Sequence, residues 1–359
     1  MTHATAKLHE LGQSLWLDNI TRELLDSGQL QTYIDDYSVT GLTSNPSIFD
    51  KAIAGGGYDD GISEKAATGI DREALFFELA LEDLRRAADL FAPIHERTGG
   101  VDGWASLEVS PLLAYDTQST VRAVTSLHAQ AERDNLFIKI PGTAQGLPAI
   151  EEAIFAGVPV NVTLLFSPDH YRAAVDAYMR GVERRVEAGL DPAVGSVASV
   201  FMSRWDVAVS DKMPHELKNT LALAIGLKTY QAYREQMDSQ RWQKLESSGA
   251  RMQRLLWAST GTKDPSAPED LYLHCLGAPF TINTIPEGTL HAFHDHGHVG
   301  TPMPSDGGDA DKTLTAHKAA GIDLDALAAK LQNDGAAAFV KSWNDLMSLI
   351  DKQSAALRA

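Results

Sequence analysis

Short apolar runs alternate with longer amphipathic stretches along most of the chain. The short runs are bounded by turn-forming residues, which is typical of buried strands in a parallel sheet. Eight of these runs are predicted as strands, at residues 15–19, 38–44, 104–110, 136–141, 160–166, 195–202, 255–261 and 280–285. The pattern therefore predicts an α/β protein.

The stretches between the strands have apolar residues three or four positions apart, which is the spacing of an amphipathic helix. Leu84, Ala88 and Phe91 illustrate it. The predicted helices cover residues 21–27, 72–92, 117–133, 145–156, 168–188, 215–246, 323–332 and 336–358, with an extra helix at 4–14. The segment 215–246 is long enough to form two helices.

Eight strand-then-helix alternations favour an α/β fold of the closed (β/α)8 TIM barrel type, with extra N- and C-terminal helices. We expect one domain over residues 1–359. The alternative is a doubly wound open sheet, which usually has a glycine-rich phosphate loop after its first strand. Here the first predicted strand ends in Asp18 and Asn19, and no such loop follows.

Composition narrows the range of partners and compartments. The net charge of −17 disfavours nucleic acid, because an acidic surface repels polyanions. The single cysteine, Cys275, rules out an intramolecular disulfide and fits a reducing compartment. The sequence has no apolar signal segment and no long apolar run, so we expect a cytoplasmic protein without a membrane partner. A monomer and a homodimer both remain open.

Lys139 is the most informative polar residue, because apolar residues flank it within a predicted strand. In a barrel, functional side chains lie towards the carboxyl ends of the strands. Burial disfavours the charged form of an amine, and a neutral amine is a nucleophile towards carbonyl groups. The alternative is a structural lysine in an ion pair.

Asp18 and Glu108 add two carboxylates within apolar strands. Schiff-base aldol chemistry needs such groups, since an amine captures the ketone and carboxylates move protons as bonds form and break. Alternatively, one of the carboxylates only neutralises Lys139.

Other polar residues at strand ends could bind a phosphorylated polyol. Four of them are neutral: Asn45, Asn161, Thr163 and Ser199. These four could instead hydrogen-bond to one another in a polar layer at the top of the barrel. Arg204 follows the sixth strand and could bind a phosphate or form a surface salt bridge. Lys263 is a weaker candidate for the same phosphate.

Residues 294–298 (HDHGH) resemble a metal-binding segment. No further Cys, His or Asp set at recognisable zinc spacing accompanies them. We therefore predict a solvated loop after the eighth strand and no metal site.

Two long motifs resemble those of the transaldolase family. Residues 38–49 (SVTGLTSNPSIF) resemble its Thr-Ser-Asn-Pro signature, and residues 135–143 (NLFIKIPGT) resemble its Schiff-base lysine segment. Three shorter segments, LWLDNI, SLEVS and NVTLLF, follow in the expected order and spacing. The resemblance covers roughly the whole chain, and residues 257–263 (WASTGTK) are similar to the longer bacterial subgroup.

The resemblance implies a class I aldolase-like barrel and roles in catalysis. Lys139 would form the imine with a ketose, and Asp18 would take the proton that triggers C–C cleavage. Glu108 would act through a water held with Thr163.

The resemblance also implies roles in substrate binding. Asn45 and Asn161 would bind hydroxyl groups of the dihydroxyacetone unit. Ser199 and Phe201 would line the donor site, and Arg204 would bind phosphate. Many members have a second phosphate-binding arginine in a Ser-Phe-Arg context, where this chain has Ala-Ser-Thr-Gly-Thr-Lys; Lys263 or backbone amides would replace it.

The implied reaction moves dihydroxyacetone from sedoheptulose 7-phosphate to glyceraldehyde 3-phosphate, in the non-oxidative pentose phosphate pathway. The products are erythrose 4-phosphate and fructose 6-phosphate. Small sugar phosphates would be the partners, and no cofactor would be needed.

Overall fold

The computed structural model describes residues 3–356. All eight predicted strands are present, most of them shorter than predicted. They are β1 (Ser14–Leu17), β2 (Val39–Leu42), β3 (Ala105–Glu108), β4 (Leu136–Pro141), β5 (Val160–Leu165), β6 (Ser196–Phe201), β7 (Arg254–Ala258) and β8 (Thr281–Ile285). Every residue of these strands is buried, as in a sheet covered on both faces.

The strands form one parallel sheet in the order β2-β1-β8-β7-β6-β5-β4-β3. A parallel bridge between Gly41 and Trp104 joins its two edges, and Leu42 N donates to Trp104 O at 2.9 Å. A Cβ atom on Gly41 would lie 2.7 Å from Trp104 O, so only glycine allows this approach. The sheet is therefore closed, which confirms the barrel and excludes the open sheet.

Sixteen α-helices in the described part of the chain surround the barrel. They are α1 (Ala4–Glu10), α2 (Arg22–Asp26), α3 (Gln29–Tyr37), α4 (Pro46–Ala54), α5 (Asp59–Ala66), α6 (Arg72–Arg97), α7 (Thr117–Ala131), α8 (Gly146–Phe155), α9 (Pro168–Glu187), α10 (Ser203–Val209), α11 (Leu221–Met237), α12 (Gln240–Ser247), α13 (Leu271–Cys275), α14 (Glu287–His296), α15 (Ala310–Ala319) and α16 (Leu324–Ala356).

The predicted helix at 215–246 is in fact a short 3-10 turn followed by α11 and α12. Ser239 separates the two helices, because its side chain accepts a hydrogen bond from Trp242 N and caps α12. Helices α3, α4, α5, α10 and α13 to α15 were not predicted.

The two predicted C-terminal helices are one continuous helix, α16, which runs through Gly335. An isolated glycine is tolerated inside a helix when packing compensates for its low helix propensity. The predicted end of this helix, after residue 356, lies outside the described residues.

A polar cluster fills the barrel at the amino ends of the strands. Asp102 accepts hydrogen bonds from Trp16 Nε1 at 2.8 Å and from Ser14 Oγ. Arg254 lies 3.8 Å from the same carboxylate and donates to Val101 O at 3.1 Å. This end of the barrel is therefore closed by polar side chains that are paired through hydrogen bonds and an ion pair.

The carboxyl end of the barrel is crossed by α16. Gln332 Nε2 donates to Gly142 O at 3.1 Å and to Leu164 O at 3.0 Å, at the ends of β4 and β5. Ser342 Oγ lies 2.7 Å from Ser47 Oγ at the start of α4. Between these attachments, Phe339 faces the mouth of the barrel. Within residues 3–356, no helix has the length and apolarity that a membrane span requires.

Candidate active site

Three candidate residues lie side by side on neighbouring strands. Glu108 on β3 pairs in register with Lys139 on β4, and Lys139 pairs with Asn161 on β5. Side chains of a strand alternate between its two faces, so residues paired in register share a face. The three side chains therefore form one row inside the barrel.

The Lys139 side chain is 7% exposed, so its amine lies almost entirely within the barrel. Its Nζ donates to Ser44 O at 2.9 Å and lies 3.4 Å from Glu108 Oε2. The amine thus has one close neutral acceptor and one longer contact with a carboxylate.

Glu108 is 4% exposed, and burial raises the pKa of its carboxyl group, while the charge of Lys139 opposes that shift. Its Oε1 and the buried Thr163 Oγ1 have no hydrogen-bond partner among residues 3–356. A carboxyl group with a raised pKa beside an amine is suited to exchange protons with it.

Asp18 follows β1 at the mouth of the barrel. Burial raises the pKa of its carboxyl group, and three contacts lower it: the charge of Lys139, a hydrogen bond from Thr43 and the charge of Lys263. Thr43 Oγ1 donates to Asp18 Oδ1 at 2.9 Å. These contacts favour the ionised form, which is the form that can remove a proton.

Neutral hydrogen-bonding groups surround this ionisable set. Ser199 Oγ donates to Asn161 Oδ1 at 2.7 Å, and Asn161 Nδ2 donates to Ser106 Oγ at 3.3 Å. Asn45 caps α4, because its Oδ1 accepts from Ile48 N at 3.1 Å. Asn45 is therefore both a structural residue and a residue of the cavity wall.

Arg204 is the cation of the cavity, positioned by the first turn of α10. Burial lowers its pKa, and the charges of Asp334 and Glu108 oppose that shift. Its guanidinium carbon lies 5.2 Å from the ring centroid of Phe201. Arginine stays protonated despite such a shift, so the cavity contains a fixed positive charge.

These groups line a cavity of about 190 Å³ at the carboxyl end of the barrel. The candidate residues that the structure brings to its wall are Asp18, Asn45, Lys139, Thr163, Ser199, Phe201 and Arg204. Glu108 and Asn161 lie directly behind this wall, in contact with Lys139 and Ser199. Lys263 is exposed and lines the adjacent depression with Asp206 and Asp264, although its charge still acts on Asp18.

Ser47 and Phe339 are among the wall residues that were not predicted. Ser47 lies within the same motif as Asn45, so its proximity to the cavity could have been inferred from the sequence. Phe339 belongs to α16, far along the chain from the other wall residues. Nothing in its local sequence distinguishes it from an ordinary apolar helix residue.

A second unpredicted contact supports the turn that carries Asp18. The neighbouring Asn19 donates from Nδ2 to Glu287 Oε2 at 3.1 Å. Glu287 also accepts from the Tyr33 hydroxyl at 2.5 Å. The start of α14 is thereby tied to the end of β1.

The histidine-rich segment is not the loop that the sequence predicted, because His294 and His296 belong to α14. The ring of His294 stacks between those of His3 and Tyr37, at centroid distances of 3.8 and 4.0 Å. Its Nδ1 lies 3.1 Å from Thr5 Oγ1. No group of three or more His, Cys, Asp or Glu residues able to hold a metal ion occurs in residues 3–356. The segment joins α1 and α3 to α14.

The cavity thus combines an amine, two carboxyl groups, neutral hydrogen-bonding groups and a guanidinium. An amine near a proton-transferring carboxyl group suits addition to a ketone. A second carboxylate at the mouth suits proton abstraction from a hydroxyl group of the bound molecule.

Comparisons with known proteins point in the same direction. A family model described as transaldolase/fructose-6-phosphate aldolase matches residues 15–350. A transaldolase of Mycolicibacterium paratuberculosis is 44% identical over 360 residues, covering 97% of this chain and 96% of the relative. A transaldolase of Acidothermus cellulolyticus is 42% identical over 361 residues, covering 98% of this chain and 97% of the relative.

Proposed function

The chain belongs to the transaldolase/fructose-6-phosphate aldolase family, and from this premise we propose that it is a transaldolase. It would transfer a dihydroxyacetone unit from sedoheptulose 7-phosphate to glyceraldehyde 3-phosphate. Erythrose 4-phosphate and fructose 6-phosphate would be released. The names of the relatives and the chemistry of the cavity both support this function.

The observation that carries the proposal is the position of Lys139. Its amine lies inside the barrel, 3.4 Å from a carboxyl group whose pKa is raised by burial. A lysine whose only role was to form an ion pair would not need to face a cavity. Lys139 does face one, because it lines the cavity wall. The setting is that of an amine that adds to a carbonyl group.

In the first half of the proposed reaction, Lys139 Nζ attacks the C2 carbonyl carbon of the ketose. The carbonyl oxygen leaves as water, and a protonated imine remains. Glu108 transfers the protons of this step through a water that it holds with Thr163. Support comes from the buried oxygens Glu108 Oε1 and Thr163 Oγ1, which are available for such contacts among the described residues.

In the second half, Asp18 takes the proton from the C4 hydroxyl of the imine. The C3–C4 bond breaks, its electron pair moves towards the protonated imine, and the aldehyde product leaves. The remaining enamine attacks the aldehyde carbon of the acceptor, and Asp18 returns the proton to the new hydroxyl group. Hydrolysis of the imine then releases the product ketose and the free lysine.

Substrate binding is assigned to the rest of the cavity. Asn45 and Asn161 would bind hydroxyl groups of the three-carbon unit, with Ser199 and Phe201 beside it. Arg204 would bind the phosphate. The exposed position of Lys263 suits a contact with the phosphate end of a longer substrate, and its role is proposed on that basis.

We also propose that residues 1–359 form a single domain and that the protein acts in the cytoplasm, as a monomer or a homodimer. The contacts of α16 with β4, β5 and α4 support one domain, because the C-terminal helix completes the mouth of the barrel. Small sugar phosphates are its proposed partners. Nucleic acid is not proposed as a partner, and the chemistry assigned to Lys139 requires no cofactor.

Borohydride reduction in the presence of fructose 6-phosphate tests the mechanism. We expect a covalent three-carbon adduct on Lys139, located by peptide mass spectrometry, and none in Lys139→Met. Lys228→Met is the matched control and should retain the adduct, because Lys228 pairs with Asp311 and does not line the cavity. An adduct on another lysine, or none at all, would refute the mechanism.

A second measurement separates transfer from simple cleavage. Without an acceptor, we expect release of free dihydroxyacetone to be slow compared with transfer to glyceraldehyde 3-phosphate. Release as fast as transfer would identify an aldolase instead.

A further inference from the structure

Arg204 lies beside two neighbouring aromatic rings that come from distant parts of the chain. Its guanidinium carbon is 5.2 Å from the ring centroid of Phe201 and 6.0 Å from that of Phe339. The two rings are 6.4 Å apart and steeply inclined to each other. Within residues 3–356, the guanidinium forms no ion pair within 4.0 Å. Two aromatic rings therefore contact this cation, while the nearest carboxylates act on it from beyond ion-pair distance.

The second ring is supplied by α16, and its placement is rigid. Gln332, Gly335, Phe339 and Ser342 are spaced three, four and three residues apart, so they share one face of the helix. Gln332 binds the carbonyl groups at the ends of β4 and β5, and Ser342 contacts Ser47. Phe339 lies between these two attachments and is 7% exposed.

Gly335 lets the helix approach the cation closely. A Cβ atom at this position would lie 3.1 Å from a terminal nitrogen of Arg204 and 3.0 Å from Leu164 Cδ2. Both distances are tighter than most ordinary contacts, so a side chain here would push the Arg204 guanidinium and Leu164 aside by a few tenths of an ångström. The absence of a side chain at Gly335 thus allows the guanidinium its observed position against α16.

We propose that Phe339 and Gly335 are positioning residues that orient Arg204 for phosphate binding. Through them, α16 sets the preference of the cavity for phosphorylated over unphosphorylated sugars. The inference rests on the proposed function, because it takes the anion at Arg204 to be the phosphate of a sugar. The inference gives α16 a role in substrate specificity, although this helix contributes no group to the reaction itself.

Phe339→Leu tests the proposal, since leucine retains apolar bulk but removes the aromatic face. We expect the KM for fructose 6-phosphate to rise roughly threefold to thirtyfold, the range for loss of one desolvated cation–π contact. Borohydride trapping of dihydroxyacetone on Lys139 should stay at the wild-type level, because that ligand has no phosphate. Phe339→Tyr should restore the KM.

Two further variants separate this role from a general packing effect. Phe77→Leu is the matched control, because Phe77 packs against Trp343 of α16 at 5.7 Å without lining the cavity. It should leave the KM for fructose 6-phosphate unchanged. Gly335→Ala should raise that KM by displacing the guanidinium, again without affecting dihydroxyacetone trapping.

A double-mutant cycle tests whether Phe339 acts through Arg204. In the Arg204→Ala background, Phe339→Leu should produce no further rise in the KM. A full additional rise, or equal effects of Phe339→Leu on the phosphorylated and unphosphorylated ligands, would overturn the inference. Failure of the wild-type protein to trap dihydroxyacetone would instead refute the proposed function, so the two failures are distinguishable.

Discussion

The two carboxyl groups of the cavity differ in what surrounds them. Glu108 lies deep in the barrel beside Lys139, whereas Asp18 lies at the mouth and accepts a hydrogen bond from Thr43. Burial raises the pKa of both, and the charge of Lys139 opposes that shift in both. A hydrogen bond from Lys139 also opposes it at Glu108, whereas at Asp18 the hydrogen bond comes from the Thr43 hydroxyl. Two acids in different environments can take different roles in one reaction, as proposed for these two.

Removal of the Thr43 hydroxyl should shift the pH profile of the enzyme. A hydrogen bond to a carboxylate lowers its pKa, so Thr43→Val should raise the pKa of Asp18 further. Because proton abstraction needs the ionised form, the acid limb of kcat/KM should move to higher pH, and the plateau should change little. Thr40→Val, on the same strand but bonded to Leu15 O instead, should leave the limb in place. A limb that does not move in Thr43→Val would argue against Asp18 as the base.

The site residues that could be predicted from the sequence are the charged ones that lie within otherwise apolar segments. A lysine or a glutamate inside an apolar strand is conspicuous, so Lys139 and Glu108 could be identified from the sequence alone. Phe339 could not, because an apolar residue on an amphipathic helix is unremarkable. Its role depends on how α16 crosses the barrel, which no local pattern encodes.

At the level of elements, the two ends of the barrel have different tasks. The carboxyl end has the cavity, whereas the amino end is closed by Asp102 and the groups that bind it. Trp16 on β1 and Arg254 on β7 both use this carboxylate. The cluster therefore ties distant strands together at the end opposite the cavity, which is where barrels place residues for stability.

Asp102→Ala should destabilise the protein by roughly 3–5 kcal/mol, because it leaves the largely buried Arg254 cation without its carboxylate. The expected readout is a lower midpoint in equilibrium guanidinium unfolding. Asp89→Ala is the matched control: Asp89 pairs with Arg133 at the surface, and its loss should cost less than about 1 kcal/mol. Equal losses in the two variants would contradict a stabilising role for the cluster. The protein that remains folded should keep the wild-type KM, since Asp102 is remote from the cavity wall.

The strands were easier to predict than the helices for a physical reason. A strand buried on both faces must be apolar throughout, so the eight runs were visible as such. Helices such as α4 are short and give a weak periodic signal. Asn45 at the cap and Pro46 in the first turn are typical of a helix start, but this segment was interpreted as a substrate-binding motif. Two helices were predicted at 323–332 and 336–358, yet α16 runs through Gly335, which packs closely against Arg204 and Leu164.

For the whole molecule, histidines that are partly or fully buried link stability to pH. Burial lowers the pKa of His95, His128, His170, His294 and His317. Between each lowered pKa and the ordinary value of about 6.5, the folded state binds fewer protons than the unfolded state. Stability therefore falls as the pH decreases through that window. Carboxyl groups with raised pKa values, such as Asp206, contribute with the opposite sign at lower pH.

His317 isolates this effect, because burial is the single cause of its lowered pKa. It is fully buried, and its Nε2 lies 3.0 Å from Thr220 Oγ1 between α15 and the start of α11. His317→Gln keeps a polar group there but removes the titration, so the variant should lose less stability than wild type between pH 7.5 and 5.5. The difference cannot exceed about 1.4 kcal/mol at one pH unit below the ordinary histidine pKa. The exposed His215 serves as control, and His215→Gln should follow the wild-type curve. Since all other groups are shared, parallel curves for wild type and His317→Gln would show that this histidine is protonated equally in the folded and unfolded states.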